Sequence, residues 1–431
     1  MAAVTPEAVA GAERHASHPW RKPFLLALPL LLAGCSQTWV QLLGPGMGDM
    51  HLYVKYGRHM AHGLMPYKSF FFDWPPGATV PVLLPALAGH GYTDWFHGIV
   101  FACAVGTLLL TAATLAQLHV SRERMYAVLA VSALLPCALG AISINSFDYW
   151  PALFTAAALL ALLSGRDRLG LALLGLGIAT KVYPVVLVPL ALIRIVRTRG
   201  PREASRCFAL CCAVVTTVAL PFLVAAPGGF TTTTIEQLKR GLQMESLGAS
   251  VVMALDHLGL LHVHVVIGKP YSLDVVGPGA GLVSALSTLF VLAALAFVYR
   301  AYAAGADDVQ RFATAAAAAV AGWVAFNHVL SPQFLVWLFP LVPLVAGRYA
   351  LGLLAASCLA TMTWSPGRFW ELADVGGVSW FVLTRNLLLV GVFVTTALPL
   401  LQTRKPRRSR ALEAEKEGFE PSRQTFIHLT P

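Results

Sequence analysis

What constrains this chain most is the recurrence of apolar runs near twenty residues long, separated by short polar stretches. A bilayer's hydrocarbon core, about 30 Å thick, takes ~20 apolar residues of helix to cross. With no water inside it, only backbone that satisfies its own hydrogen bonds can do so. The composition fits: 57% hydrophobic, 12% charged, mean hydropathy +0.68, against about 25% charged residues in an ordinary soluble domain. The expected fold class is an all-α polytopic membrane protein. No polar stretch reaches the ~100 residues of a typical domain. A separate soluble catalytic or nucleotide-binding domain is therefore excluded, and any substrate meets the protein at the membrane surface or inside the bundle.

The basic residues come in short clusters: Arg14/Arg21/Lys22, Arg122/Arg124, Arg166/Arg168, Arg194 to Arg206, Arg300/Arg311, Arg348, and Arg404 to Arg410. Lys and Arg are enriched in cytoplasmic loops, which puts all of these inside. The net charge of +10 is then explained by an anionic leaflet rather than by nucleic acid. Spans near 23–43, 95–118, 125–142, 148–165, 168–180, 182–197, 205–226, 279–299, 310–326, 331–346, 348–364 and 382–402 alternate correctly with both termini inside. Residues 77–90, apolar but short and Pro-rich, are expected to be re-entrant or interfacial. The organisation reads as a cytoplasmic segment 1–22, a membrane domain 23–402, and a basic, disordered cytoplasmic tail 403–431. The seven cysteines show neither a C-x-x-C pair nor Cys/His ligand spacing, so neither structural zinc nor a disulfide framework is expected.

This topology sends the unusual sequence to the outer side. Gly48-Asp49-Met50, Asp73-Trp74-Pro75-Pro76-Gly77, Ser143 to Trp150, Thr180-Lys181-Val182-Tyr183-Pro184, Glu245-Ser246-Leu247 and Asn327 to Gln333 all emerge there. Polar motifs from different loops on one face of a bundle are expected to make one site, because loops carry function when a rigid scaffold holds them. A carboxylate at the end of a spanning helix is costly, which makes Asp49 the first candidate. His328 borders an apolar span and is either a packing histidine or a second acid–base or phosphate group. Lys181 either snorkels to the headgroups or contacts a phosphate. Arg240 and Glu245 either pair with one another or touch substrate. Asp73 reads as structural, in a loop stiffened by prolines, and Asp148 and Gln333 are open.

An outward membrane site with one prominent acid suits glycosyl transfer with inversion. The carboxylate takes the proton from an acceptor hydroxyl as that oxygen attacks the anomeric carbon. A second carboxylic acid, which hydrolases use against a poor alkoxide leaving group, is unnecessary when the leaving group is already a phosphate. Cations must then hold that phosphate. Because nucleotide sugars are cytoplasmic, an outward-facing enzyme would draw its sugar from a lipid carrier.

Asp49 after the first span, the Gly63…Pro66-Tyr67 turn, Asp73 to Gly77, Lys181-Val182-Tyr183-Pro184, Arg240 to Leu247 and Ser331-Pro332-Gln333-Phe334 occur in an order that resembles the family 87 glycosyltransferases. These are polyprenyl-phosphate-mannose-dependent mannosyltransferases of the membrane-embedded fold type C, and the resemblance covers roughly residues 23–400. It implies a bundle of about 11–13 transmembrane helices with outward-facing loops. It also implies the acid of the first outer loop, Asp49, as catalytic base and a lipid-phosphate sugar donor; the residues themselves offer His328 as a second catalytic candidate, Lys181 and Arg240 as donor-phosphate ligands, and Asp73, Glu245, Asp148 and Gln333 as further site candidates. The implied partners are a polyprenyl-phosphate sugar, mannose being the family's sugar, a glycolipid or glycan acceptor, and membrane lipids; the implied place is an inner membrane, with the site on its outer face. Many fold type C enzymes carry two adjacent acids where this chain has Asp49-Met50 and no D-x-D motif, so no metal or other cofactor is expected. The rival reading is a transporter or flippase of lipid-linked sugars, against which stands the lack of clear internal repeats and mid-membrane polar residues.

Overall fold

Long uninterrupted apolar stretches become helices that bury their backbone bonds and turn their side chains to lipid or to one another. The computed structural model describes residues 24–42, 48–268, 272–345 and 347–402. The segment 1–22 and the tail 403–431 lie outside the described residues. Among the described residues, six helical stretches are long and apolar enough to cross a membrane: Tyr92–Gln117, Arg122–Ser143, Pro201–Ala225, Ala280–Ala304, Val309–Phe326 and Ser379–Leu401. Shorter apolar helices fill the bundle between them.

In chain order the helices that frame the site are α1 (Phe24–Leu42), α2 (Met50–Ala61), α3 (Thr79–Leu83), α4 (Tyr92–Gln117), α5 (Arg122–Leu139), α6 (Tyr149–Leu163), α7 (Asp167–Thr180), α8 (Val188–Arg199) and α9 (Pro201–Ala225). After them come α10 (Pro227–Leu238), α11 (Leu247–His257), α12 (Ala280–Ala304), α13 (Val309–Phe326), α14 (Arg348–Met362), α15 (Phe369–Ala373) and α16 (Ser379–Ala397). The chain is thus an all-α polytopic membrane protein.

Helix α13 is the central post. Its Ala313 to Ala325 stretch is almost entirely alanine, glycine and valine, and nearly every side chain in it is buried. Small residues let neighbouring backbones approach closely, which is the main route to tight packing between helices in lipid, and α12 and α16 pack against it. On the periphery, α9 and α12 expose Phe208, Leu220, Val224, Leu282, Leu289 and Phe290, as lipid-facing helices do. At one end, Arg168–Glu203 at 2.7 Å, Arg199–Asp167 at 2.6 Å and Arg194–Asp307 at 2.9 Å tie α7, α8, α9 and the turn before α13. The other end carries the polar motifs.

The spans differ from expectation in two places. Residues 331–346 form two 3-10 runs, Pro332–Leu338 and Val342–Leu344, instead of a spanning α-helix. Pro332, Pro340 and Pro343 remove backbone donors and clash with the preceding turn, so no α-helix can run through. Residues 182–197 start as a 3-10 turn, Tyr183–Leu187, for the same reason at Pro184, and only then become α8. The polar region after α9 also folds more than its sequence announces, into α10, α11 and an antiparallel hairpin of β1 (His264–Ile267) and β2 (Leu273–Val276).

Candidate active site

Asp49 stands at the start of α2. Its carbonyl accepts from the Tyr53 amide at 2.9 Å, while its side chain caps no helix amide. The Tyr53 hydroxyl is 3.4 Å from Oδ2, and among the described residues every ion pair belongs to some other acid. The carboxylate is half-buried. Burial first, and the nearby Asp148 charge after it, hold its pKa above the usual carboxylate range, while Lys181, His51 and Arg240 act in the opposite direction. Asp49 therefore combines an unpaired carboxylate with raised basicity.

Its neighbours are held firmly. Lys181 follows the last turn of α7, and its Nζ lies 2.7 and 3.0 Å from the two oxygens of the fully buried Asp148. Trp337 Nε1 donates to the same Asp148 oxygen at 2.6 Å. The ammonium also sits 5.1, 5.1 and 5.5 Å from the ring centroids of Phe147, Phe334 and Trp337. Such an ammonium, flanked by π-faces and a carboxylate, is fixed in place instead of snorkelling outward. Gly77 brings the Asp73 loop onto this end of α7, since a Cβ there would meet the Ala179 carbonyl oxygen at 2.7 Å.

Asp73 accepts from the Tyr56 hydroxyl at 2.9 Å, and its backbone carbonyl accepts from Gln237 of α10 at 2.7 Å. Burial pushes its carboxyl up to about 6, opposed by the Tyr56 bond. The loop before it turns at Tyr67, whose φ of 64° is left-handed, a conformation costing a non-glycine residue about 1–2 kcal/mol. The Tyr67 hydroxyl, donating to the Trp74 carbonyl at 2.5 Å, holds that turn. Gly229 of α10 lies so close that any Cβ there would overlap the Tyr67 carbonyl.

The third piece is the stretch from Arg240 to Glu245, stitched to β2 by Met244 N to Leu273 O at 2.9 Å and Val275 N to Leu242 O at 2.8 Å. Gln243 gathers the surroundings: its backbone amide donates to the His328 carbonyl at 3.0 Å, and its Nε2 donates to Glu245 Oε2 at 2.6 Å and Ser331 Oγ at 3.3 Å. Glu245 is buried, and that burial raises its carboxyl to about 7 against the pull of Arg385 and Arg240. Arg240 and Glu245 make no direct ion pair. Instead the Arg240 guanidinium lies among the charges of Asp274, Glu245, Asp49 and Asp73, with its Nε buried and unpartnered. Burial, then the Arg240 charge, lowers the His328 pKa, which keeps its imidazole neutral at pH 7. Thr288 Oγ1 is 3.4 Å from His328 Nδ1.

One electrostatic cluster thus contains Asp49, Asp73, Asp148, Lys181, Arg240 and Glu245, with His328 at its edge beside Arg240. Gln333 is buried at the start of the Pro332–Leu338 run, with no hydrogen bond or charge linking it to the others. Sequence reasoning passed over Trp337, Asp274 and Arg385. Of these, only Arg385 left a signal, a lone arginine inside an apolar span. Among the described residues no group of three or more His, Cys, Asp or Glu is arranged to hold a metal ion.

The sequence profile of glycosyltransferase family 87 matches residues 71–332, more than half of the chain. The chain belongs to glycosyltransferase family 87. The matched stretch contains Asp73, Asp148, Lys181, Arg240, Glu245 and His328, while Asp49, Gln333 and Arg385 lie outside it. No curated protein matches the sequence. Among solved structures it is similar to the Archaeoglobus fulgidus oligosaccharyltransferase in the apo form, with 13% identity, a TM-score of 0.42, and coverage of 94% of this chain and 59% of that one. It is also similar to archaeal oligosaccharyltransferase AglB from Archaeoglobus fulgidus in complex with an inhibitory peptide and a dolichol-phosphate, with 14% identity, a TM-score of 0.40 and the same coverage. The family 87 chain thus spans 59% of the length of either structure.

Proposed function

We propose that this family 87 glycosyltransferase moves a hexose, mannose by its family, from a polyprenyl-phosphate carrier to a glycolipid or envelope glycan on the outer face of an inner membrane, with inversion. The observation that carries this reading is Asp49: a carboxylate without an ion-pair partner, of raised basicity, beside two cations. In the proposed step Asp49 removes the proton of the acceptor hydroxyl while that oxygen bonds to the anomeric carbon. The bond from that carbon to the phosphate oxygen breaks, and the electron pair leaves with the lipid phosphate. Lys181 and Arg240 bear the phosphate charge, Arg240 through donors such as its unpartnered Nε. Neutral His328 is a hydrogen-bond partner at the edge of the phosphate position. Glu245 and Asp73 shape the acceptor side and hold the loops.

Two experiments test the reading. Membranes containing the protein should transfer sugar from a polyprenyl-phosphate sugar and not from the nucleotide sugar once donor resynthesis is blocked, and chelators should leave the rate unchanged. Transfer directly from the nucleotide sugar would overturn the donor assignment. For orientation, a cysteine placed at exposed Lys68, with the native cysteines removed, should react with an impermeant thiol reagent from outside, while one at exposed Arg166 should react only after lysis. The reverse pattern would move the site to the cytoplasm.

A further inference from the structure

Arg385 lies six residues into α16, about 9 Å along a spanning helix, and has no exposed surface. A guanidinium in such a place is costly and is kept only where it has partners. Its Nη2 donates to the Glu245 main-chain carbonyl at 2.7 Å. The adjacent Asn386 donates its Nδ2 to the same oxygen at 3.2 Å and to Ser250 Oγ at 3.1 Å. The guanidinium packs over Trp364 at 5.6 Å, and its Nε and Nη1 have no partner. The acid whose charge it feels is Glu245.

Two consecutive side chains of one membrane helix therefore grip one carbonyl of a loop segment. That same segment binds the His328 carbonyl through Gln243 N and Ser331 through Gln243 Nε2. We propose that Arg385, with Asn386, is a positioning residue of the transfer site: it fixes the Gln243–Glu245 segment through the Glu245 carbonyl and supplies the countercharge to the Glu245 carboxylate. The consequence for transfer rests on the function proposed above; the charge coupling does not. The other charged groups facing Glu245 are Arg240 of its own loop and Asp49 at the start of α2, and Cys358 of α14 faces Arg385.

The test uses full-length protein in detergent and separates charge from grip. Arg385→Gln drops the charge and keeps an amide for the carbonyl, whereas Arg385→Lys keeps the charge. The first readout is the unfolding temperature against pH, which needs no activity. In the folded protein the Glu245 carboxyl is raised to about 7 from an ordinary 4.5. Its protonation thus stabilises fully below the ordinary value, and that stability is lost as pH rises through 7. Removing an opposite charge should raise the carboxyl further, by about 1–3 units. The loss in Arg385→Gln should accordingly run on to a pH higher by about 1–3 units, while Arg385→Lys keeps the wild-type window. Glu245→Gln should leave only the dependence contributed by other raised carboxyls such as Asp49 and Asp73, and adding Arg385→Gln to it should shift that remainder no further. The second readout is transfer, which in Arg385→Gln should fall by up to about 10²-fold, the scale of a misplaced site. An unshifted window in Arg385→Gln overturns the proposal. A wild type that transfers no sugar from the lipid-phosphate donor overturns the proposed function instead, and leaves the unfolding result intact.

Discussion

Asp49→Asn should lower sugar transfer by about 10² to 10⁴-fold, the usual contribution of a positioned general base. The substitution preserves shape and hydrogen-bonding capacity, and the carboxylate it removes has only the Tyr53 hydroxyl, at 3.4 Å, as a side-chain partner. The folded protein therefore loses almost nothing that holds it together, and the unfolding temperature should stay near that of the wild type. The defect should appear in turnover with the donor Michaelis constant little changed, because a proton acceptor acts in the transition state while the phosphate is held by other residues. A steady-state comparison at saturating lipid-linked donor reads it directly. Near-normal turnover in a folded Asp49→Asn protein would remove Asp49 as base and leave His328 as the next candidate.

The second large effect belongs to Lys181, and it has two separable parts. Lys181→Met leaves Asp148 fully buried with only the Trp337 indole as donor, and an uncompensated buried charge costs about 3–5 kcal/mol. The same change should weaken donor binding if the ammonium also faces the phosphate. Replacing both partners, Lys181→Met with Asp148→Leu, should recover most of the stability, since well-packed apolar pairs substitute for buried ion pairs at little cost. It should not recover the donor Michaelis constant. Thermal unfolding and donor titration of the single and double variants read the two parts independently. A stable double variant with wild-type donor affinity would confine Lys181 to a structural role.

Much of the bundle was legible because apolar length is a direct consequence of bilayer thickness, and α4, α9 and α12 appear within a few residues of where hydropathy places them. The 331–346 segment was misread because hydropathy counts Pro332, Pro340 and Pro343 as tolerable, whereas backbone hydrogen bonding does not. The hairpin β1–β2 was not legible at all. Its strands are four residues each, and β2 also bonds to the 242–244 segment, a contact no local pattern encodes. Asp49, Asp73 and Glu245 were found because acids among apolar spans are conspicuous. Lys181 is occupied by Asp148, 33 positions away, and Asp148 in turn by Trp337, 189 positions from it, a set of partners assignable only in three dimensions.

The grip of Arg385 and Asn386 on the Glu245 carbonyl also has a meaning for how such a protein is made. The chain is threaded into the bilayer from its N-terminus, and helices inserted early settle against their neighbours before later ones arrive. Asp49, Asp148 and Lys181 precede α16 in the chain by about 200 residues or more, and the loop carrying Glu245, already tied to β2 and to the His328 carbonyl, gains its grip on the Glu245 carbonyl only when α16 docks. A nascent or truncated chain ending before residue 379 would hold most of its spans in the membrane and still lack one fastener of the loop that carries Glu245. The candidate site is in this sense completed by α16.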